Sequence, residues 1–186
     1  MKDKQLLNRL RLVLLMLEQY CMMEKRQTEI IFRQPNIKDG SRIWKLVQDC
    51  GTLDINSTYA YLLLCQHFAD TCMVAESKGE LVGFVTGYCL PAAADTLFIW
   101  QIGVKDSLRG CGIAKRLMME LIQTDACDRV SFLEMTIGPS NIASRALFES
   151  LAKELKTEIS EQTCFGETLF PQGNHEAEHL FRIGPL

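Results

Sequence analysis

The sequence predicts an α/β domain of the α+β type, with a mixed central β-sheet flanked by helices and one extra amphipathic helix ahead of it. Three observations lead there. The chain has 186 residues, the span of one domain, and 47% of them are hydrophobic, enough for a sizeable core. Apolar positions recur at helical spacing in some segments and as short apolar runs in others, and the two kinds interleave. A turn with two glycines, Arg109-Gly110-Cys111-Gly112, separates an apolar run that reads as a strand from a periodic run that reads as a helix.

Taken in order, Leu6, Leu10, Val13, Leu14, Leu17 and Cys21 place an amphipathic helix at residues 4–24. It forms the body of an N-terminal extension, residues 1–28, distinct from the main domain at 29–186. The extension holds six basic and three acidic side chains, where the remainder holds 14 basic and 20 acidic. Its apolar stripe needs a partner, either the domain itself or a second chain; a loose appendage is the other reading. Met22 and Met23 also offer later translation starts. A short strand follows at 30–33. Helices then come at 38–49, with Ile43, Trp44 and Val47 inward, and at 58–68. Strands at 71–76 and 81–88 form a hairpin around Ser77-Lys78-Gly79-Glu80. Pro91 and the alanines up to Asp95 break the chain before a strand at 97–104. A helix at 110–124 buries Ile113, Ala114, Leu117, Met118, Leu121 and Ile122. A strand at 130–137, a helix at 141–152 and C-terminal strands complete the order.

Composition excludes several functions. Twenty basic residues against 23 acidic ones, a net charge of −3, do not suit a general nucleic-acid binder, whose affinity rests on neutralising phosphates. No apolar stretch approaches the roughly 20 residues of a membrane span. Lys2, Lys4, Arg9 and Arg11 imitate the start of a signal peptide. The apolar run behind them is short, however, and Glu18 ends it without a small-residue cleavage site, so a cytoplasmic location is expected. The eight cysteines are scattered without a C-x-x-C pair, as reduced thiols rather than zinc ligands.

The turn at 109–114 sits where the free N–H groups of a helix start and its dipole favour an anion, and glycines let the backbone approach a pyrophosphate. Steric packing of strand on helix is the alternative use of the same glycines. The turn fits neither the nucleotide-triphosphate loop, since G-x-x-x-x-G-K-[ST] is absent, nor the dinucleotide fingerprint, since Lys115 stands where its third glycine belongs. Arg109, Gly112 and Ala114 match Q/R-x-x-G-x-G/A, and with the element order from Ile30 onward the chain resembles the GNAT superfamily of N-acetyltransferases. The resemblance implies acetyl-CoA as cosubstrate and no metal. It assigns the thioester-side strand contacts to Ile102, Gly103 and Val104. The pyrophosphate contacts fall to Arg109, Gly110, Cys111, Gly112, Ile113 and Ala114, and a further cofactor contact to Asn141. Where many members of the superfamily carry a tyrosine acid, this chain has Phe148, so the donor of a proton to the CoA thiolate stays unassigned.

On the substrate side, residues 51–64 cluster polar groups ahead of a helix. Ser57 reads as its cap, which explains Asp54 less well. Trp100 reads as core by its strand position. Alternation on 130–137 puts Glu134 on one face with Val130, Phe132 and Thr136, where a carboxylate needs a partner: a ligand, an arginine or solvent at an edge. With Asp70-Thr71-Cys72, the 83–88 and 100–104 strands and the ending Phe181-Arg182-Ile183-Gly184-Pro185, these blocks resemble the diaminobutyrate acetyltransferase branch of that superfamily over about 32–185. That resemblance implies acetylation of the γ-amino group of L-2,4-diaminobutyrate, on the route to the compatible solute ectoine. It places Asp54, Tyr59, Trp100, Glu134 and His175 around the substrate, and a homodimer is expected by the same analogy. The nearest alternative is the same chemistry on another small amine, and a different class is an acyl-CoA-binding sensor without turnover.

The chemistry suits those residue types. An alkylammonium with a pKa near 10.4 is deprotonated in only about one molecule in 2,500 at pH 7, a gap of roughly 4.6 kcal/mol, so something must take a proton. Asp54 and Glu134 are the candidates for base or proton relay, with the two roles of anchoring the α-amino group and serving the γ-amino group undivided between them. His175-Glu176-Ala177-Glu178-His179 matches H-E-x-x-H, but Pro171, Gly173 and Asn174 ahead of it and a strand-like run behind it do not give the helix a zinc site needs.

Overall fold

The computed structural model describes residues 30–51, 53–171 and 175–186. The expected helix at 4–24 and the extension it belongs to lie outside the described residues. Seven strands form one sheet in the order β1-β2-β3-β4-β5-β7-β6. They are β1 (Ile31–Arg33), β2 (Met73–Ser77), β3 (Glu80–Leu90), β4 (Ala93–Val104), β5 (Phe132–Ile137), β6 (Ile159–Phe165) and β7 (Glu178–Ile183). Among the described residues four α-helices accompany them: α1 (Asp39–Cys50), α2 (Thr58–His67), α3 (Ile113–Ile122) and α4 (Ile142–Leu155).

Period-two alternation divides the strands' side chains between two cores. On β2, Met73 and Ala75 join the cluster under α3 and α4, while Val74 joins the cluster under α1 and α2. On β3 a bulge opposite Ala75 and Glu76 breaks that alternation, so Val82 and Val85 face one way and Leu81 and Phe84 the other. Helices therefore cover both faces of the sheet, as expected from apolar stripes such as Ile43, Leu46 and Val47 on α1 and Leu117, Met118 and Leu121 on α3.

The β2–β3 hairpin turns at Lys78 and Gly79, with φ of 51° and 80°, the paired positive values of a two-residue type I′ turn. Pro91 does not break the chain as far as Asp95. Leu90 already pairs with Ala93, so the alanines begin β4 and Pro91 occupies the turn, where its missing N–H costs nothing. The helix expected from residue 110 begins at Ile113, because Gly110 and Gly112 take left-handed φ of 74° and 78°. Ser57 caps α2 by accepting a hydrogen bond from the Ala60 N–H at 3.2 Å, as the sequence suggested.

All neighbouring strand pairs are antiparallel except β4 and β5, which are parallel and in register only from Thr96 opposite Phe132 to Ile99 opposite Met135. Beyond that point β4 runs on to Val104 and β5 ends at Ile137, and the two separate. That opening in the middle of the sheet positions the site.

Candidate active site

Two cavities meet at the opening between β4 and β5. The first, of about 790 Å³, lies between the ends of β4 and the starts of α3 and α4. The second, of about 700 Å³, lies over β4, β5 and β6. Leu53, Ile102, Gly138, Asn141, Ser144, His175 and Glu178 line both, so the two form one passage through the sheet.

Ile102, Gly103, Val104, Arg109, Gly110, Ala114 and Asn141 line the first cavity, and Cys111, Gly112 and Ile113 do not. Cys111 and Gly112 are exposed on the outer side of the turn, whereas the Ile113 side chain is buried in the core beneath α3. What Ile113 offers an anion is its backbone N–H at the helix start. No side chain caps that start, so its first N–H groups have no partner within the helix. Nothing stands within 4 Å of the place a Cβ would take on Gly110 or Gly112, which leaves the backbone open to a ligand. An uncapped helix N-terminus behind an open left-handed turn fits a pyrophosphate. Arg109 braces the turn: its Nη2 donates to the Cys50 carbonyl oxygen at 2.9 Å and its Nη1 lies 2.7 Å from Asp106. Gly103 is required by close packing, since a Cβ there would sit 2.7 Å from Phe84 Cε1 and 2.9 Å from Leu53 Cδ1. Asn141 caps α4, its Oδ1 accepting from the Ser144 N–H at 3.1 Å.

Asp54, Trp100, Glu134 and His175 line the second cavity, and Tyr59 lines neither. Tyr59 stands 67% exposed on the first turn of α2. Glu134 is on the expected face of β5, opposite Leu133, Met135 and Ile137, and is directly across from Arg182 on β7, with which it forms an ion pair. Its carboxylate is 12% exposed, so the sequence alternatives of an arginine partner and a place in the pocket both hold. Trp100 is a cavity wall rather than core; its ring stacks on Tyr61 with centroids 6.3 Å apart. His175 precedes β7 and stacks on Phe170 at 4.0 Å, while His179 lies within β7 and bonds Glu161, so the two histidines share no helix face. Phe148 is buried and also lines the second cavity.

Several site residues carry no local sequence signal. Gln101 donates from Nε2 to the Asp54 carbonyl oxygen at 2.8 Å and accepts from the Tyr61 hydroxyl at 2.8 Å, tying the Asp54 loop to β4 and α2. Glu178, the first residue of β7, places Oε1 3.8 Å from His175 Nε2, and Asp54 Oδ2 lies 3.7 Å from the same nitrogen. Hydrogen bonding to the Glu176 carbonyl raises the His175 pKa above its ordinary value, and the charges of Glu178 and Asp54 add to the shift against a smaller opposing effect of desolvation. Among the described residues no group of three or more histidine, cysteine or acidic side chains could hold a metal ion, and no helix is long and apolar enough to cross a membrane.

A sheet opened between two parallel strands, with an anion-binding helix start on one side and an acid-lined cavity on the other, is matched by known proteins. Residues 41–152 match the acetyltransferase (GNAT) family. The L-2,4-diaminobutyric acid acetyltransferase of Marinococcus halophilus is 50% identical over 157 residues, 84% of this chain and 91% of its own. That of Streptomyces coelicolor is 40% identical over 166 residues, 88% and 98% of the two chains. Among solved structures, the diaminobutyrate acetyltransferase from Paenibacillus lautus, in complex with its substrate L-2,4-diaminobutyric acid and coenzyme A, superposes with a TM-score of 0.82 at 45% identity, covering 85% of this chain and 96% of that one. The Escherichia coli ribosomal-protein-S18-alanine N-acetyltransferase, at 16% identity and a TM-score of 0.66, shares the fold. The opened sheet, its phosphate turn and the length of these matches make the chain a member of the GNAT family and, within it, of the L-2,4-diaminobutyric acid acetyltransferases.

Proposed function

We propose that this protein transfers acetyl from acetyl-CoA to the γ-amino group of L-2,4-diaminobutyrate, giving Nγ-acetyl-diaminobutyrate for ectoine biosynthesis. The observation that carries this is the passage through the sheet: an acyl donor anchored at the α3 turn meets an amine entering from the acidic cavity, without either crossing the core. The P. lautus protein, with diaminobutyrate and coenzyme A bound together, is built on the same fold at 45% identity.

In this reading Asp54 and Glu134 hold the diamine. Glu134 is held in place by its ion pair with Arg182 directly across on β7, which suits an anchor for the α-ammonium group. Trp100 supplies a flat wall and a cation–π face, and His175 closes the opening. Tyr59 stands outside both cavities. It lies one turn from Leu63 on an exposed apolar face of α2, with exposed Ile55 in the loop ahead of the helix, a surface suited to a second copy of the chain, and we read the enzyme as a homodimer closed along it. The catalytic domain is residues 29–186, which contain the whole family match at 41–152. Free thiols at all seven described cysteines accord with the cytoplasm.

The test is release of CoA by the purified protein with acetyl-CoA and L-2,4-diaminobutyrate, with ornithine and lysine as comparison amines and the acetylated nitrogen located by NMR. Selective γ-acetylation of diaminobutyrate is expected, and preference for another amine refutes the substrate. Asp54→Asn and Glu134→Gln are each expected to raise KM for the diamine while leaving CoA affinity unchanged; unaltered kcat/KM in both would remove them from the site.

A further inference from the structure

We propose that Glu178 takes the proton from the γ-ammonium group and that His175, beside it at the junction of the two cavities, returns a proton to the sulfur of the departing thiol. The inference rests on the reaction proposed above and names the residues that move its protons.

The thioester carbonyl arrives through one cavity and the amine through the other, so bond formation is confined to their junction. Of the side chains that line both cavities, only His175 and Glu178 titrate; the others are aliphatic, glycine or neutral polar residues. Asp54 and Glu134 line the substrate cavity alone. Phe148, which also borders that cavity, has no proton to give. The Glu178 carboxylate is 19% exposed and 3.8 Å from His175 Nε2. His175 Nδ1 lies 2.7 Å from the Glu176 carbonyl oxygen, which only accepts, so Nδ1 carries a hydrogen and Nε2 is the nitrogen turned toward Glu178 and Asp54. The raised His175 pKa keeps its ring charged further into the neutral range, as a proton donor requires. The other titratable groups about Glu178 are Glu176, across Gly138, and the Cys164 thiol, which burial and the charges of Glu134 and Glu178 push up.

The steps balance. Glu178 accepts one proton from the ammonium, and the free amine attacks the thioester carbonyl, forming the C–N bond. Collapse of the tetrahedral adduct breaks the C–S bond while His175 protonates the sulfur. The nitrogen's second proton restores charged His175, and the proton on Glu178 leaves to solvent. The amide, CoA thiol and one released proton account for all atoms.

Glu178→Gln keeps the shape and removes the base. Its kcat is expected to fall about 100-fold or more, the scale of general-base catalysis. The deficit relative to the parent should shrink about tenfold per pH unit as free amine becomes available. The melting temperature should match the parent, which excludes misfolding. His175→Gln should lose the alkaline limb of the parent's kcat profile. A Glu178→Gln variant with parental kcat and only a raised KM makes Glu178 a binding group and overturns the proposal, as does an alkaline limb that survives in His175→Gln. Failure of the parent itself to acetylate diaminobutyrate refutes the reaction instead, and is read directly in the parallel assay.

Discussion

Gln101→Met tests how the Asp54 loop is held. The substitution conserves length and volume but removes both polar atoms that bridge α2, β4 and the loop. Asp54 is exposed, so its carbonyl oxygen recovers a hydrogen bond from water. The Tyr61 hydroxyl is fully buried and loses the acceptor at 2.8 Å, keeping only its contact with Asn56. A buried hydroxyl stripped of a partner costs about 1–3 kcal/mol, and the Asn56 contact holds the expected loss to the lower half of that range, about 1–2 kcal/mol. At about 2–4 °C per kcal/mol for a domain of this size, Tm should fall by about 2–8 °C. Releasing the loop from one bond worth about 1 kcal/mol should raise KM for diaminobutyrate about fivefold. Gln101 does not line the CoA cavity, so CoA affinity should stay constant. Thermal melting, steady-state kinetics with the diamine and calorimetry with CoA read the three quantities. A lowered Tm with unchanged KM would refute the reasoning, because it would mean that the position of Asp54 does not matter to the substrate.

Three further outcomes are expected. Gly110→Ala forces a Cβ into a left-handed residue with open space around it, so strain of about 1–2 kcal/mol is the whole cost; CoA binding should weaken, and Gly110→Asn should recover part of it. His175 should titrate above its ordinary value by NMR, and Asp54→Asn or Glu178→Gln should each lower it; any stability from this shift is present below the ordinary pKa and lost as pH rises through the raised one. Asp39, 1% exposed, accepts hydrogen bonds from Arg33 at 2.7 Å, Arg42 at 2.8 Å and the Asn36 N–H at 2.9 Å. Burial opposes its ionisation, yet those donors hold its pKa below the carboxylate range. Its contribution is therefore full above the ordinary value and lost as pH falls through the lowered one. Asp39→Asn should cost about 1–3 kcal/mol in denaturant unfolding, since Arg33 and Arg42 are partly exposed and keep Glu76, while leaving kcat intact, since the network is remote from both cavities.

The outline of the fold was legible because its signals are local. Ile43 and Val47 on α1, Leu117 and Leu121 on α3, the hairpin at Lys78-Gly79 and the parity that set Glu134 apart from Leu133 and Met135 depend on near neighbours alone. Pro91 misled for the same reason: a proline marks a bend, but whether strands pair straight up to it is decided by the partner strand, here Ala93 opposite Leu90. The phosphate turn was legible as backbone chemistry, and within it Ile113 keeps only its backbone N–H for an anion because helical phase turns its side chain inward.

The site is divided along the same line. The sequence by itself determined which groups were available: glycines at a helix start, acids for an amine, a phenylalanine at a position where a tyrosine acid often stands. Tertiary structure decided which of them meet. Arg182 reaches Glu134 from 48 residues away. Glu178 and His175 reach the junction only because β7 inserts between β5 and β6, and Tyr59, close to Asp54 in sequence, is turned outward by the first turn of α2. Side-chain type is a property of one residue and periodicity of a few, but proximity across a sheet depends on strand order and register, which no local pattern in the chain encodes.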